Sequence, residues 1–188
     1  MKKMGSINDV GTKKLGWGKI VALSVIFSAI AFILSILQTA NIRFFDQVPD
    51  MLLALVCAVA FIYGGGAGAM LGLLSGVLII TLGGSGFSLA PIMYVLCGYL
   101  CGALVNKILS SNFLSFLAFG AAAGVVRVIF TLIYFGLASD EFDLILLIKN
   151  VIIGEYFAYF LCMIPAYFAV FAIYLLFKGK DDGSRMVR

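Results

Sequence analysis

The 188 residues are 63% hydrophobic and 12% charged, against roughly 25% charged in a soluble domain, and the mean hydropathy is +1.15. Such a chain belongs mostly inside lipid, with room outside the apolar runs only for a short tail before Trp17 and another after Phe177 (1-16 and 178-188), flanking one membrane domain over 17-177. There is no His at all, which removes the commonest general base and the commonest transition-metal ligand.

The first apolar run covers Trp17–Ala40. It is longer than the apolar core of a signal peptide and no small-residue cleavage site follows it cleanly, so it reads as an uncleaved first helix. The second run, Val48–Tyr63, is short for a span, and the third, Gly64–Leu82, follows without a polar loop. Three consecutive glycines, Gly64 to Gly66, make a poor helix interior and are expected to form a tight turn between the two. The alternative is one helix across both runs and five spans in all. The fourth, fifth and sixth spans are expected over Phe87–Leu109, Phe113–Leu137 and Gly154–Phe177. The stretch Asp143–Ile153, with Lys149 and Asn150, reads as an interfacial helix or an extension of the last span. Most of these runs approach the roughly 20 residues needed to cross a bilayer.

Charge arbitrates between five and six spans. Six spans with both termini in the cytoplasm place Lys2, Lys3, Lys13, Lys14, Lys19, Lys107, Lys178, Lys180, Arg185 and Arg188 inside, and Arg43 outside. This is the bias expected of a multi-pass protein, and five spans would lose it. The acids Asp46, Asp50, Asp140, Glu141 and Asp143 then fall on the outer side. The expected fold is an all-α, polytopic membrane bundle of six transmembrane helices.

Its packing is written in glycine. Gly64, Gly68, Gly72 and Gly76 recur every fourth position and share one helix face, and Gly98 with Gly102 and Gly120 with Gly124 repeat the spacing. Small residues at this spacing let two backbones approach closely in lipid, and a neighbouring span of the same chain is the expected partner.

Two ionisable residues stand deep in apolar runs: Arg127 in the fifth and Glu155 at the start of the sixth. Charges at membrane depth face the bundle interior and pair. They read either as a substrate or proton site or as an ion pair fixing the register of two helices; the second is favoured, since a relay generally shows further carboxylates. The cysteines Cys57, Cys97, Cys101 and Cys162 read as small packing residues. A zinc site built on Cys97 and Cys101 would need two more converging ligands, and none is visible. The aromatics of the last span, Tyr156, Phe157, Tyr159, Phe160, Tyr167, Phe168, Phe171 and Tyr174, read mostly as lipid contacts and interfacial belts, with a ligand cage or partner face as the sharper alternative. Pro165 is expected to kink that span. No phosphate loop, nucleophile elbow or kinase motif occurs, so neither catalysis nor a cofactor or metal is expected. The basic tails fit topology and anionic lipid, with no nucleic acid implied.

The order of features along about Ile20–Lys178 resembles the rod-shape-determining MreD family of bacteria. The first span ends near a Gln, in Leu37-Gln38-Thr39. A short loop ends in Pro49-Asp50 before the leucine-rich Met51-Leu52-Leu53. A Tyr63-Gly64 turn opens the glycine-spaced span, and Gly83-Gly84-Ser85-Gly86 closes it. The next span carries Gly98-Tyr99-Leu100-Cys101-Gly102, and the last combines Glu155, an aromatic at Tyr156 or Tyr159, and Pro165. Basic residues common in the family between spans two and three are replaced by glycine, an Asp late in span three by Ile80, and Arg127 is outside the pattern. The resemblance implies a multi-pass protein of the bacterial cytoplasmic membrane with no chemistry of its own. Its implied partners are the bitopic protein MreC, the polymerase RodA with its transpeptidase and, through the complex, MreB filaments; its implied role is to scaffold and regulate lateral peptidoglycan synthesis, and so cell shape. The competing reading is the substrate-capturing S component of an energy-coupling-factor vitamin transporter, which would need a polar outer pocket built from residues such as Asn41, Asn150, Glu155 and nearby tyrosines.

Overall fold

The structure is a computed structural model and describes residues 17–40, 49–83, 89–108, 112–138 and 156–183. Among them are six α-helices and no strand: α1 (Trp17–Thr39), α2 (Met51–Tyr63), α3 (Gly65–Gly83), α4 (Ala90–Ile108), α5 (Phe113–Ala138) and α6 (Tyr156–Gly183). Four of them contain stretches long and apolar enough to cross a membrane, Gly18–Thr39, Gly65–Leu82, Phe113–Tyr134 and Tyr156–Phe177, while Met51–Tyr63 and Ala90–Leu104 are shorter apolar helices.

The shortest helix is at the centre. Every residue of α2 from Leu52 to Phe61 is buried. A helix apolar all round can be enclosed on every side without burying an unpaired polar side chain. Around it stand α1, α3, α4, α5 and α6. The buried face of α1 is Leu23, Phe27, Ala31 and Ser35, every fourth residue. Phe27 meets the ring of Tyr63 at one end of α2. Along its length α1 packs more extensively on α3 than on α2.

The turn between α2 and α3 is tighter than three glycines suggest. Only Gly64 lies outside the helices, with φ 97° and ψ 169°. That left-handed conformation is open to glycine at little cost and strained for other residues. Its N–H bonds the carbonyl of Ala60 at 2.9 Å and its carbonyl accepts from the N–H of Gly68 at 3.1 Å, so one residue closes one helix and opens the next. Gly65 and Gly66 already belong to α3, and the single helix that would have given five spans does not form. The second run also begins later than the apolar pattern implied, at Met51, because Asp50 caps it.

The α3–α4 pair is the closest contact in the bundle, and α3 packs against another helix of the same chain. A Cβ on Gly65 would stand 2.8 Å from the Tyr99 carbonyl oxygen, one on Gly68 2.8 Å from that of Gly98, one on Gly72 2.5 Å from that of Tyr94 and one on Gly76 2.7 Å from Pro91 N. Gly98 and Gly102 return the contact, onto Gly68 and Gly65. The two backbones therefore run antiparallel and touch along their length, as small-residue packing allows. Gly64 stands at the end of this seam, its carbonyl carbon 2.6 Å from where a Cβ on Gly102 would be. It is also the connector, and Gly65 beside it shares the contact with Gly102.

Candidate functional site

The interior holds a charge. Asp50 precedes the first turn of α2, and its Oδ1 accepts the N–H of Leu53 at 3.0 Å, the N-cap bond that satisfies an otherwise orphan donor. The Tyr94 hydroxyl of α4 donates to the same oxygen at 2.5 Å. Arg127 of α5 brings its Nε to 3.0 Å from Oδ2. Asp50 is 1% exposed and Arg127 18%. The carboxylate thus draws donors from three helices, opposite a guanidinium and at the positive end of a buried helix. Pro49 beside it is also fully buried.

This revises two expectations. Asp50 does not sit among the acids of an outer loop: it is in the core. Arg127 faces the interior, as a charge at that depth must, and among the described residues its ion pair is with Asp50. Glu155 lies outside the described residues, as do Asn41 and Asn150.

Next to the ion pair, α6 rests on α5 across the second glycine pair. Side chains of α6 occupy the space that side chains at Gly120 and Gly124 would fill: the Met163 thioether lies on Gly120, and a Cβ on Gly124 would be 2.6 Å from the Tyr156 ring and 2.9 Å from that of Tyr159. The Tyr159 hydroxyl donates to the Gly120 carbonyl at 3.0 Å and the Tyr156 hydroxyl to the Ala121 carbonyl at 3.2 Å. Glycine here admits a side chain, whereas in α3 and α4 it admits a backbone.

The aromatics of α6 face inward more than expected. Tyr159 and Tyr167 are buried, Tyr156, Phe160, Phe171 and Tyr174 half-buried, and only Phe157 and Phe168 exposed. Phe116, Tyr167 and Phe171 form a chain of rings, with centroids 4.8 and 5.8 Å apart, and Phe61 of α2 joins it at Phe116 and Tyr167. They weld α2, α5 and α6 at the end opposite Asp50. Pro165 lies within α6, which continues through it as one helix.

The cysteines line helix contacts. The Cys101 thiol points to the Cys57 carbonyl at 3.7 Å, the Cys97 thiol to that of Ala123 at 4.0 Å, and Cys57 Sγ lies 3.8 Å from the Tyr159 hydroxyl. Among the described residues no group of three or more potential ligands could hold a metal. Of the remaining motif residues, Tyr99 is exposed on α4. Gln38, one residue before the end of α1, has its Oε1 buried and, like Ser75 Oγ, without a hydrogen-bond partner among the described residues.

Sequence reasoning missed Tyr94, and missed that Asp50 is central. The second was within reach: Asp immediately before an apolar run is a helix-start signal. Tyr94 carries no such signal. A scan of protein-family models, a search of curated proteins and a search of solved structures each find no match to this chain.

Proposed function

We propose that this chain is a non-catalytic scaffold of the bacterial cell-elongation machinery, a six-span protein of the cytoplasmic membrane with both termini inside, that binds an MreC-like bitopic partner and helps govern lateral peptidoglycan synthesis through RodA, its transpeptidase and MreB. The observation that carries the reading is where the motif residues go. Pro49-Asp50, which precedes the leucine-rich run, forms the buried cap of the central helix. Gly98 and Gly102 of the Gly-Tyr-Leu-x-Gly motif form the seam with α3. The motifs that suggest the family are thus spent on holding helices together, which suits an adaptor whose product is its own shape. The polar groups near the ion pair are likewise engaged: Asp50, Tyr94, Tyr156 and Tyr159 all bond protein atoms. A substrate-capturing subunit would need such groups turned toward a ligand. The positive-inside distribution of the lysines and arginines supports the orientation.

The test is affinity purification of the chain from its native membrane under mild crosslinking, with mass spectrometry of the co-purifying proteins. A single-span periplasmic partner together with wall-synthesis enzymes is the expected result. ATPase subunits with a coupling protein would replace the scaffold by a vitamin-capture subunit.

A further inference from the structure

The two halves of α5 are held differently. In the first half Ser115, Phe116, Gly120, Ala123 and Gly124 are buried. From Val125 to Tyr134 no residue is buried, and Val126 and Phe130 rest on the core only in part. The change comes at a pair of glycines, Gly120 and Gly124. Glycine inside a helix costs about 1 kcal/mol against alanine, and such positions are where helices bend.

The first half is pinned at the same place. The Tyr159 and Tyr156 hydroxyls of α6 donate to the carbonyls of Gly120 and Ala121. In an α-helix those carbonyls also take the N–H groups four residues on, here Gly124 and Val125. Each tyrosine therefore shares its acceptor with a backbone bond that crosses the boundary, and a side chain entering the ladder is a cause of bending. Past the boundary, Arg127 ties α5 to the centre, its Nε 3.0 Å from Asp50 Oδ2. The part-buried apolar contacts of this half are weak holders in lipid, because an apolar side chain meets an acyl tail about as favourably as it meets another helix. A lipid tail cannot replace a charge partner in that way.

We propose that α5 is hinged over Gly120–Gly124 and that the Asp50–Arg127 pair is the latch holding its second half against the centre of the bundle. When the latch opens, Asp50 keeps the bonds from the Leu53 N–H and the Tyr94 hydroxyl, so the carboxylate is not stripped of donors and α2 and α4 stay in place. The moving part is Val125 onward. The α3–α4 seam and the rings of Phe116 and Tyr167 belong to the fixed part. The inference goes beyond the scaffold reading and rests only on the chain lying in a membrane. Its test uses the purified chain alone, so its failure and that of the scaffold reading are separable.

Trifluoromethylphenylalanine is placed at Phe130 and, in a separate sample, at Phe119; both are part-buried residues packed on the core, one on each side of the hinge. Fluorine NMR spectra of the full-length protein are recorded in nanodiscs. The wild type is expected to give one resonance at each site. Asp50→Asn combined with Arg127→Met removes both charges together and keeps an acceptor for the Leu53 N–H. It should add a second resonance with roughly a tenth or more of the intensity at Phe130, and none at Phe119, while the melting temperature stays near that of the wild type. Arg127→Lys keeps a cation whose ammonium lies one atom beyond the Nε position, within reach of Oδ2, and should keep the single resonance at Phe130. An unchanged Phe130 spectrum in the double variant overturns the inference. So does a second resonance at both sites, which means general loosening, or one as strong in Arg127→Lys as in the double variant, which removes charge from the account. Failure of the double variant to fold also overturns it, because a latch acts on half a helix and not on the bundle.

Discussion

Gly72 and Tyr94 meet backbone to backbone, and the ring of that same tyrosine holds the buried carboxylate. A Cβ on Gly72 would stand 2.5 Å from the Tyr94 carbonyl oxygen, while the Tyr94 hydroxyl donates to Asp50. How closely α3 approaches α4 therefore sets where Tyr94 can reach. The seam and the ion pair are coupled through one residue.

The first expectation follows from that contact. Gly72→Leu has no flexible neighbour to displace, since the obstructing atoms are main-chain atoms of Tyr94 and Val95. Overpacking of this kind costs about 1–3 kcal/mol and more where backbone must move. A clear fall in melting temperature in detergent is expected; an unchanged value would show that the seam does not bear on stability.

Glycines elsewhere should respond differently. Gly66→Ala has open space for its methyl and replaces the poorer helix former, so a neutral to slightly stabilising effect of up to about 1 kcal/mol is expected. Gly64→Ala forces an L-residue to φ 97° and should destabilise by about 1 kcal/mol or more. Thermal melts of the two variants side by side would reveal any inversion of this order.

Removing Arg127 takes the guanidinium away from a carboxylate that is only 1% exposed, and removing Asp50 takes the carboxylate away from Arg127. Asp50→Leu or Arg127→Met alone should cost about 3–5 kcal/mol, whereas the double replacement should recover most of the loss, because apolar groups of similar size carry no desolvation penalty. A double-mutant cycle on folding in micelles measures this directly. Strict additivity would mean the two side chains act independently.

Arg127→Ala and Glu155→Ala should disturb assembly more than topology. Reporter fusions on the loops should read the wild-type orientation, while recovery of partners by affinity purification falls. Wild-type complex levels and cell shape in both variants would remove these residues from the account.

Helix existence was legible from sequence because punctuation interrupts the apolar runs: Gly64, Pro91 and Asn112 stand at or beside helix ends. The α3 seam was legible for the same reason, since glycine at four-residue spacing is visible against a background of larger residues. The facing of the helices was not. Periodicity finds the buried side by contrast with a polar side, and these helices are apolar on every side. That is why the aromatics of α6 read as lipid-facing when most turn inward, and why Tyr94 gave no sign of its role. The link from Arg127 to Asp50 joins positions far apart in the chain, and spacing cannot report a contact made only by tertiary packing.

The enclosure of α2 bears on how the protein is made. At 13 residues it is about 20 Å long, against a hydrocarbon layer of roughly 30 Å, and its leading end carries a carboxylate. On leaving the ribosome this segment is poorly matched to lipid on its own. Gly64 joins it to α3 by a single residue, so the two are delivered as one hairpin, and the longer partner carries the shorter in. The Asp50 carboxylate then waits for a guanidinium that emerges only with α5. Until α5 arrives, the guanidinium that meets Asp50 Oδ2 in the finished fold is not yet present, so the core of α2 is completed only by a helix made much later.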